Sequence, residues 1–120
     1  MKISELCERA GVSKDTVRHY EKVGLLKPSF LPAGSRMYRD YNETAVFRLD
    51  HIANGKQAGF SLREIKEGLD RLMDGAMSFD EQRETLFKQV QRIDENIERL
   101  RASKNFLRSQ LKRIDRHEAS

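Results

Sequence analysis

From Ser78 to Arg116 the chain contains neither proline nor glycine. Ser78-Phe79-Asp80-Glu81 opens this stretch in the form of a capping box. The spacing predicts one helix of roughly 37 residues, about 55 Å long at the 1.5 Å rise of an α-helix. Its apolar positions are Leu86, Val90, Ile93, Ile97, Leu100, Leu107, Leu111 and Ile114. They alternate steps of four and three residues, a heptad seam with Lys104 where an apolar residue would fall. Four short helices cannot bury a seam this long and narrow, and no break allows the helix to fold back. It needs a partner, most economically the same helix of a second copy. Lys104 either sets register or orientation, or snorkels to water.

Composition agrees with this division. The chain has 120 residues, 38% hydrophobic and 35% charged, which suits a small domain plus one long helix better than one large core. The net charge of +4 favours a polyanionic partner. Residues 1–41 carry eight Lys or Arg against five Asp or Glu, so the excess gathers near the start. A single cysteine, Cys7, excludes an internal disulfide framework and fits a reducing compartment. No apolar run reaches a membrane span, and the first residues lack the apolar core of a signal peptide. The expectation is a cytoplasmic protein with no membrane contact.

The basic excess is organised around residues 13–26. Ser13 is a candidate N-cap and Gly24 a candidate break. Val17 and Tyr20 can face inward, while Lys14, Asp15, Arg18, His19 and Lys22 fall on the other side. Before it, Ile3, Leu6 and Ala10 mark a first helix over 4–10, with Ser4 as cap and Gly11 as stop. Two short helices joined by Gly11-Val12-Ser13 form a helix-turn-helix pattern, whose second helix enters the DNA major groove. An ordinary helical hairpin with a solvated charged face is the alternative.

Pro28 and Pro32 then forbid a regular helix. Leu31-Pro32-Ala33-Gly34 suits a type I turn, with Ser35 to Arg39 returning as a short strand. Such a hairpin is a wing, and Arg36, Tyr38 and Arg39 on it suit phosphate or minor-groove contact. The bland alternative is a surface loop whose tyrosines pack on the helices. Asn42 caps a third helix over roughly 43–57, with Val46, Leu49, Ile52 and Ala53 as its stripe. Ser61-Leu62-Arg63-Glu64 has capping-box form and opens a fourth helix to about Met73. Leu62, Ile65, Leu69 and Leu72 line it, and Asp74-Gly75 ends it.

These pieces together resemble the MerR-type bacterial transcription regulators over nearly the whole chain. The resemblance rests on Ile3-Ser4-Glu5-Leu6, Gly11-Val12-Ser13, Thr16 to Glu21, and Gly24-Leu25-Leu26 with Pro28. It continues through Gly34 to Tyr41, Val46 with Leu49, and Gly59 to Ile65. It implies a mainly α fold: a winged helix-turn-helix domain with a two-helix linker over 1–76, and a dimerisation helix over 77–120 forming an antiparallel coiled coil. It also implies binding as a homodimer to an inverted repeat in a promoter, bending and untwisting DNA to the benefit of RNA polymerase. Carried over to this chain, base-edge or near-base duty falls to Lys14, Thr16 and Arg18, and backbone anchoring to Tyr20. Arg36, Tyr38 and Arg39 take the wing contacts to phosphates. His19 stands where an aromatic is commoner, and either changes base preference or lies along a phosphate.

No cofactor or metal site is expected. Metal- and redox-sensing relatives use cysteines at or beyond the start of the long helix, where this chain has none. His19, His51 and His117 fall on different elements. Only four residues follow Arg116, so no appended drug-binding domain is expected. A small-molecule effector would find apolar side chains near Phe60, Met73, Met77, Phe79 and Phe87, for which core packing is the competing role. No catalytic spacing or phosphate loop points to an enzyme. The competing classes are a DNA-bending accessory factor of the excisionase sort, against which the long seam argues, and a coiled-coil interaction protein.

Overall fold

The computed structural model describes all of residues 1–120. Helices α1 (Ile3–Ala10) and α2 (Lys14–Lys22) are followed by strands β1 (Ser29–Ala33) and β2 (Arg36–Asp40). Helices α3 (Glu43–Gln57), α4 (Leu62–Met73) and α5 (Phe79–Ala119) complete the chain. It divides into two compact units, Met1–Met77 and Ser78–Ser120.

Local capping chemistry accounts for most helix starts. Ser13, Asn42, Ser61 and Ser78 each accept a hydrogen bond from a first-turn amide, and Ser61 with Glu64 completes a capping box. The first helix differs from the sequence expectation. It begins at Ile3, its N-cap is Lys2 with no side-chain cap bond, and Ser4 lies inside. Ile3 packs against the core, and that burial outweighs the local preference of Ser4. Gly11 ends the helix at φ +68°, a left-handed conformation that glycine adopts without steric cost.

One core holds the first unit together. Leu6, Val17, Tyr20, Leu25, Leu26, Tyr41, Ala45, Leu49, Ile52, Ile65 and Leu69 form it. On α3 the buried stripe is Ala45, Leu49 and Ile52 with Arg48, whereas Val46 is half-buried and Ala53 exposed. Burying one fully enclosed Leu or Ile contributes about 1.5–3 kcal/mol. Outside the core, Arg9 on α1 grips Glu43 on α3 with two bonds of 2.6 and 2.7 Å. That guanidinium holds the Glu43 carboxyl below its usual range.

The two strands form an antiparallel hairpin in which Ala33 faces Arg36. The turn is therefore Gly34-Ser35, not residues 31–34, and β2 runs one residue later than expected. Gly34 has φ +65° and Ser35 is not in the positive-φ region, the pattern of a two-residue hairpin loop. Pro32 lies within β1 opposite Met37. A two-stranded ribbon has an open edge on each strand, where a residue without an N–H is tolerated.

The second unit is α5, unbroken over 41 residues, or about 61 Å at 1.5 Å per residue. It is longer than expected because no helix breaker follows Arg116. All eight seam residues are exposed in the single chain, from 37% at Ile93 to 61% at Leu86 and Leu107.

Candidate nucleic-acid interface

Helix α2 presents two chemically distinct faces. Val17 and Tyr20 are buried, while Lys14, Arg18, His19 and Lys22 are exposed. The Ser13 hydroxyl accepts from Thr16 N–H at 3.1 Å and lies 2.9 Å from its hydroxyl. Thr16, half-buried, is thereby fixed at the helix start, where a recognition helix meets base edges. Arg18 reaches Asp15 at 3.3 Å, with both side chains open to solvent. An exposed pair of this kind contributes only about 0–0.5 kcal/mol, so Arg18 is easily surrendered to an anion. Tyr20 is different: its ring belongs to the core, as its inward spacing with Val17 predicts.

The hairpin is tied to α2 through Glu21. Arg39 donates from Nε to the Glu21 carboxylate at 3.0 Å, and the Tyr41 hydroxyl donates to its other oxygen. Burial, and then the bond to Glu21, raise the Tyr41 pKa, which keeps the phenol protonated as a donor. The Arg39 guanidinium also lies over the Phe30 ring, 5.8 Å from its centroid, within cation–π range. Arg39, expected to touch phosphates from the wing, is thus also engaged within the chain. Arg36 and Tyr38 are exposed on the hairpin.

A groove of about 800 Å³ opens between α1, α2 and the hairpin, with Lys2, Arg18 and Arg39 on its walls and Phe30, Met37 and Tyr38 among its apolar lining. Lys2 and Phe30 were not singled out from sequence. Lys2 precedes its helix, and Phe30 reads as an ordinary apolar strand residue until the register sets it opposite Arg39. Cationic side chains lining an open groove beside the exposed face of α2 suit a polyanion.

A family model described as MerR HTH family regulatory protein matches residues 1–72. The chain belongs to the MerR family. A second model, described as MerR, DNA binding, matches residues 46–116 of this MerR-family chain. The chain is similar to DNA-binding regulators of transcription. Among curated relatives, it is 39% identical over 97 residues to the HTH-type transcriptional activator mta of Bacillus subtilis, covering 80% of this chain and 37% of that protein. It is 32% identical over 100 residues to the HTH-type transcriptional regulator HmrR of Rhizobium leguminosarum, covering 83% of this chain and 75% of that one. The chain thus spans little more than a third of mta but most of HmrR. Among solved structures, PbrR691 from Ralstonia metallidurans CH34, in complex with lead(II), superposes with a TM-score of 0.72 at 27% identity. That match covers 89% of this chain and 81% of PbrR691.

The residues suggested for an effector divide. Phe60 packs against the core of the first unit, Met73 is 43% exposed, and Phe79 and Phe87 on α5 are 81% and 61% exposed. No three His, Cys, Asp or Glu side chains come together as a metal-ligating group. No helix is long and apolar enough to cross a membrane.

Proposed function

We propose that this MerR-family regulator binds promoter DNA as a homodimer on an inverted repeat. Helix α2 enters the major groove, with Lys14, Thr16, Arg18 and His19 at or near base edges. The hairpin serves as the wing, with Arg36, Tyr38 and Arg39 along flanking phosphates. In this reading residues 1–76 are the DNA-binding part with its linker helices, and residues 77–120 dimerise as an antiparallel coiled coil. The dimer bends and untwists its site, acting on RNA polymerase through the altered promoter. The protein works in the cytoplasm and is not an enzyme.

The observation that carries the reading is the groove beside α2, lined by the cationic side chains of Lys2, Arg18 and Arg39. The unpartnered seam of α5 supports pairing, and pairing supports a two-fold repeated site.

The test is selection of bound duplexes from a random-sequence pool, followed by gel shift of the enriched duplex across a salt series. An enriched inverted repeat, with log affinity falling steeply against log salt, is the expected result. Enrichment of no sequence, or of an unrepeated one, would falsify it. Repeating the shift with cell extract reads out an inducer.

A further inference from the structure

Helix α1 packs on both α2 and α3, and α3 packs on α4. A polar cluster joins the chain just after α2 to α3 and α4. Arg48 on α3 is a buried charged side chain, 8% exposed. Its Nε donates to the carbonyl of Leu25 at 2.8 Å, and its Nη2 donates to Asp70 Oδ1 on α4 at 3.0 Å. Lys66, also on α4, donates to the other Asp70 oxygen at 2.9 Å.

The same lysine lies over the end of α2. A Cβ at Gly24 would stand 2.9 Å from Lys66 Cε, and Gly24 has φ +83°. The backbone leaving α2 is thus held twice: its Leu25 carbonyl by Arg48, and its Gly24 surface by the Lys66 methylene chain. Both arms end on one carboxylate.

Replacing a buried ion pair by apolar groups of similar shape is often neutral for stability. What directional bonds add over apolar packing is a fixed angle. We propose that Arg48, Asp70 and Lys66 form a strut that sets the angle of α2 to α4, and thereby the spacing of the two recognition helices on DNA. The inference rests on the homodimer reading above. In such a dimer each α2 is placed relative to its twin by elements that follow it in the chain, and α4 is the last helix before α5. The three side chains are positioning residues. In this reading they act by fixing where the DNA-facing residues stand.

The experiment uses the full chain and two duplexes: the selected inverted repeat, and the same duplex with one half-site scrambled. Affinity is measured on both, and bending is read by fluorescence transfer between labelled duplex ends. Arg48→Met is expected to bind the scrambled duplex within about twofold of wild type and the intact repeat about tenfold more weakly, a usual size for coupling between sites. The bending signal should shrink. Asp70→Asn, nearly isosteric at a half-exposed position, should show the same split even where Arg48→Met folds poorly. Arg48→Lys, which keeps one donor, should restore part of the full-site affinity.

Equal losses on both duplexes would reduce the strut to a generic stability element and overturn the inference. So would unchanged behaviour of both variants, provided the wild type prefers the intact repeat. A wild type without that preference sinks the homodimer reading, and the strut with it.

Discussion

Individual side chains divide into those held loosely and those already engaged within the chain. Arg18 is held only by exposed Asp15, so its removal disturbs little else. Arg18→Ala should cost about 1–3 kcal/mol at one base position of each half-site and relax the preference there. Binding titrations against single-base variants of the selected site check this. Arg36→Ala should instead weaken all duplexes alike and lower the salt slope by about one, measured across a salt series. Arg39 is the informative contrast, because its partner Glu21 is 10% exposed and already receives the Tyr41 hydroxyl. Charge and residue type made Arg18, Arg36 and Arg39 visible in the sequence. The engagement of Arg39 was not visible, because Glu21 lies 18 residues away and only the hairpin register brings them together. Tyr20 shows the converse. Its place in a motif suggested contact, while its inward spacing with Val17 already placed it in the core.

Elements were legible where their determinants are local. The caps Ser13, Asn42, Ser61 and Ser78 depend on residues two or three positions away, and all four form. Ser4 failed because Ile3, drawn onto the core, starts the helix earlier. Pro32 failed as a turn residue because an edge tolerates it. Arg48 went unnoticed because charge hides burial, although its spacing from Ala45 and Ile52, three and four residues away, places it on the buried stripe. Gly24→Ala should destabilise the first unit by about 1–2 kcal/mol through the left-handed backbone alone, and should also push Lys66 off Asp70; thermal melts report it. Acid tests the strut too. Lys66 first, and Arg48 second, hold the Asp70 carboxyl below its usual range. A depressed folded pKa contributes stability that is present above the ordinary carboxylate value, about 3.9, and lost as pH falls through the lower folded value. Wild type should therefore lose stability more steeply than Asp70→Asn below about pH 4, measured by urea unfolding at stepped pH.

At the scale of the whole chain, the division between Met1–Met77 and Ser78–Ser120 concentrates the buried hydrophobic residues in the first unit. The second is a helix with eight exposed apolar seam residues. The heptad steps made the seam readable, since a period of 3.5 needs no tertiary knowledge. The end of the helix was less readable, because nothing after Arg116 breaks it. On the proposed homodimer, Ile97→Glu places a charge in the middle of the seam, and sedimentation velocity should show a single chain for the variant and a dimer for wild type. It should also abolish preference for an intact repeat over a scrambled one.

A helix that offers water its whole apolar stripe makes the amount of protein present a variable of its own order. On the proposed pairing, dilution should act on α5 much as heat does, uncoiling it as copies part company. The midpoint of its helical signal should then climb with the logarithm of concentration, while the first unit, enclosed around Leu6, Leu49 and Ile52, should melt at the same temperature in a dilute sample and a crowded one.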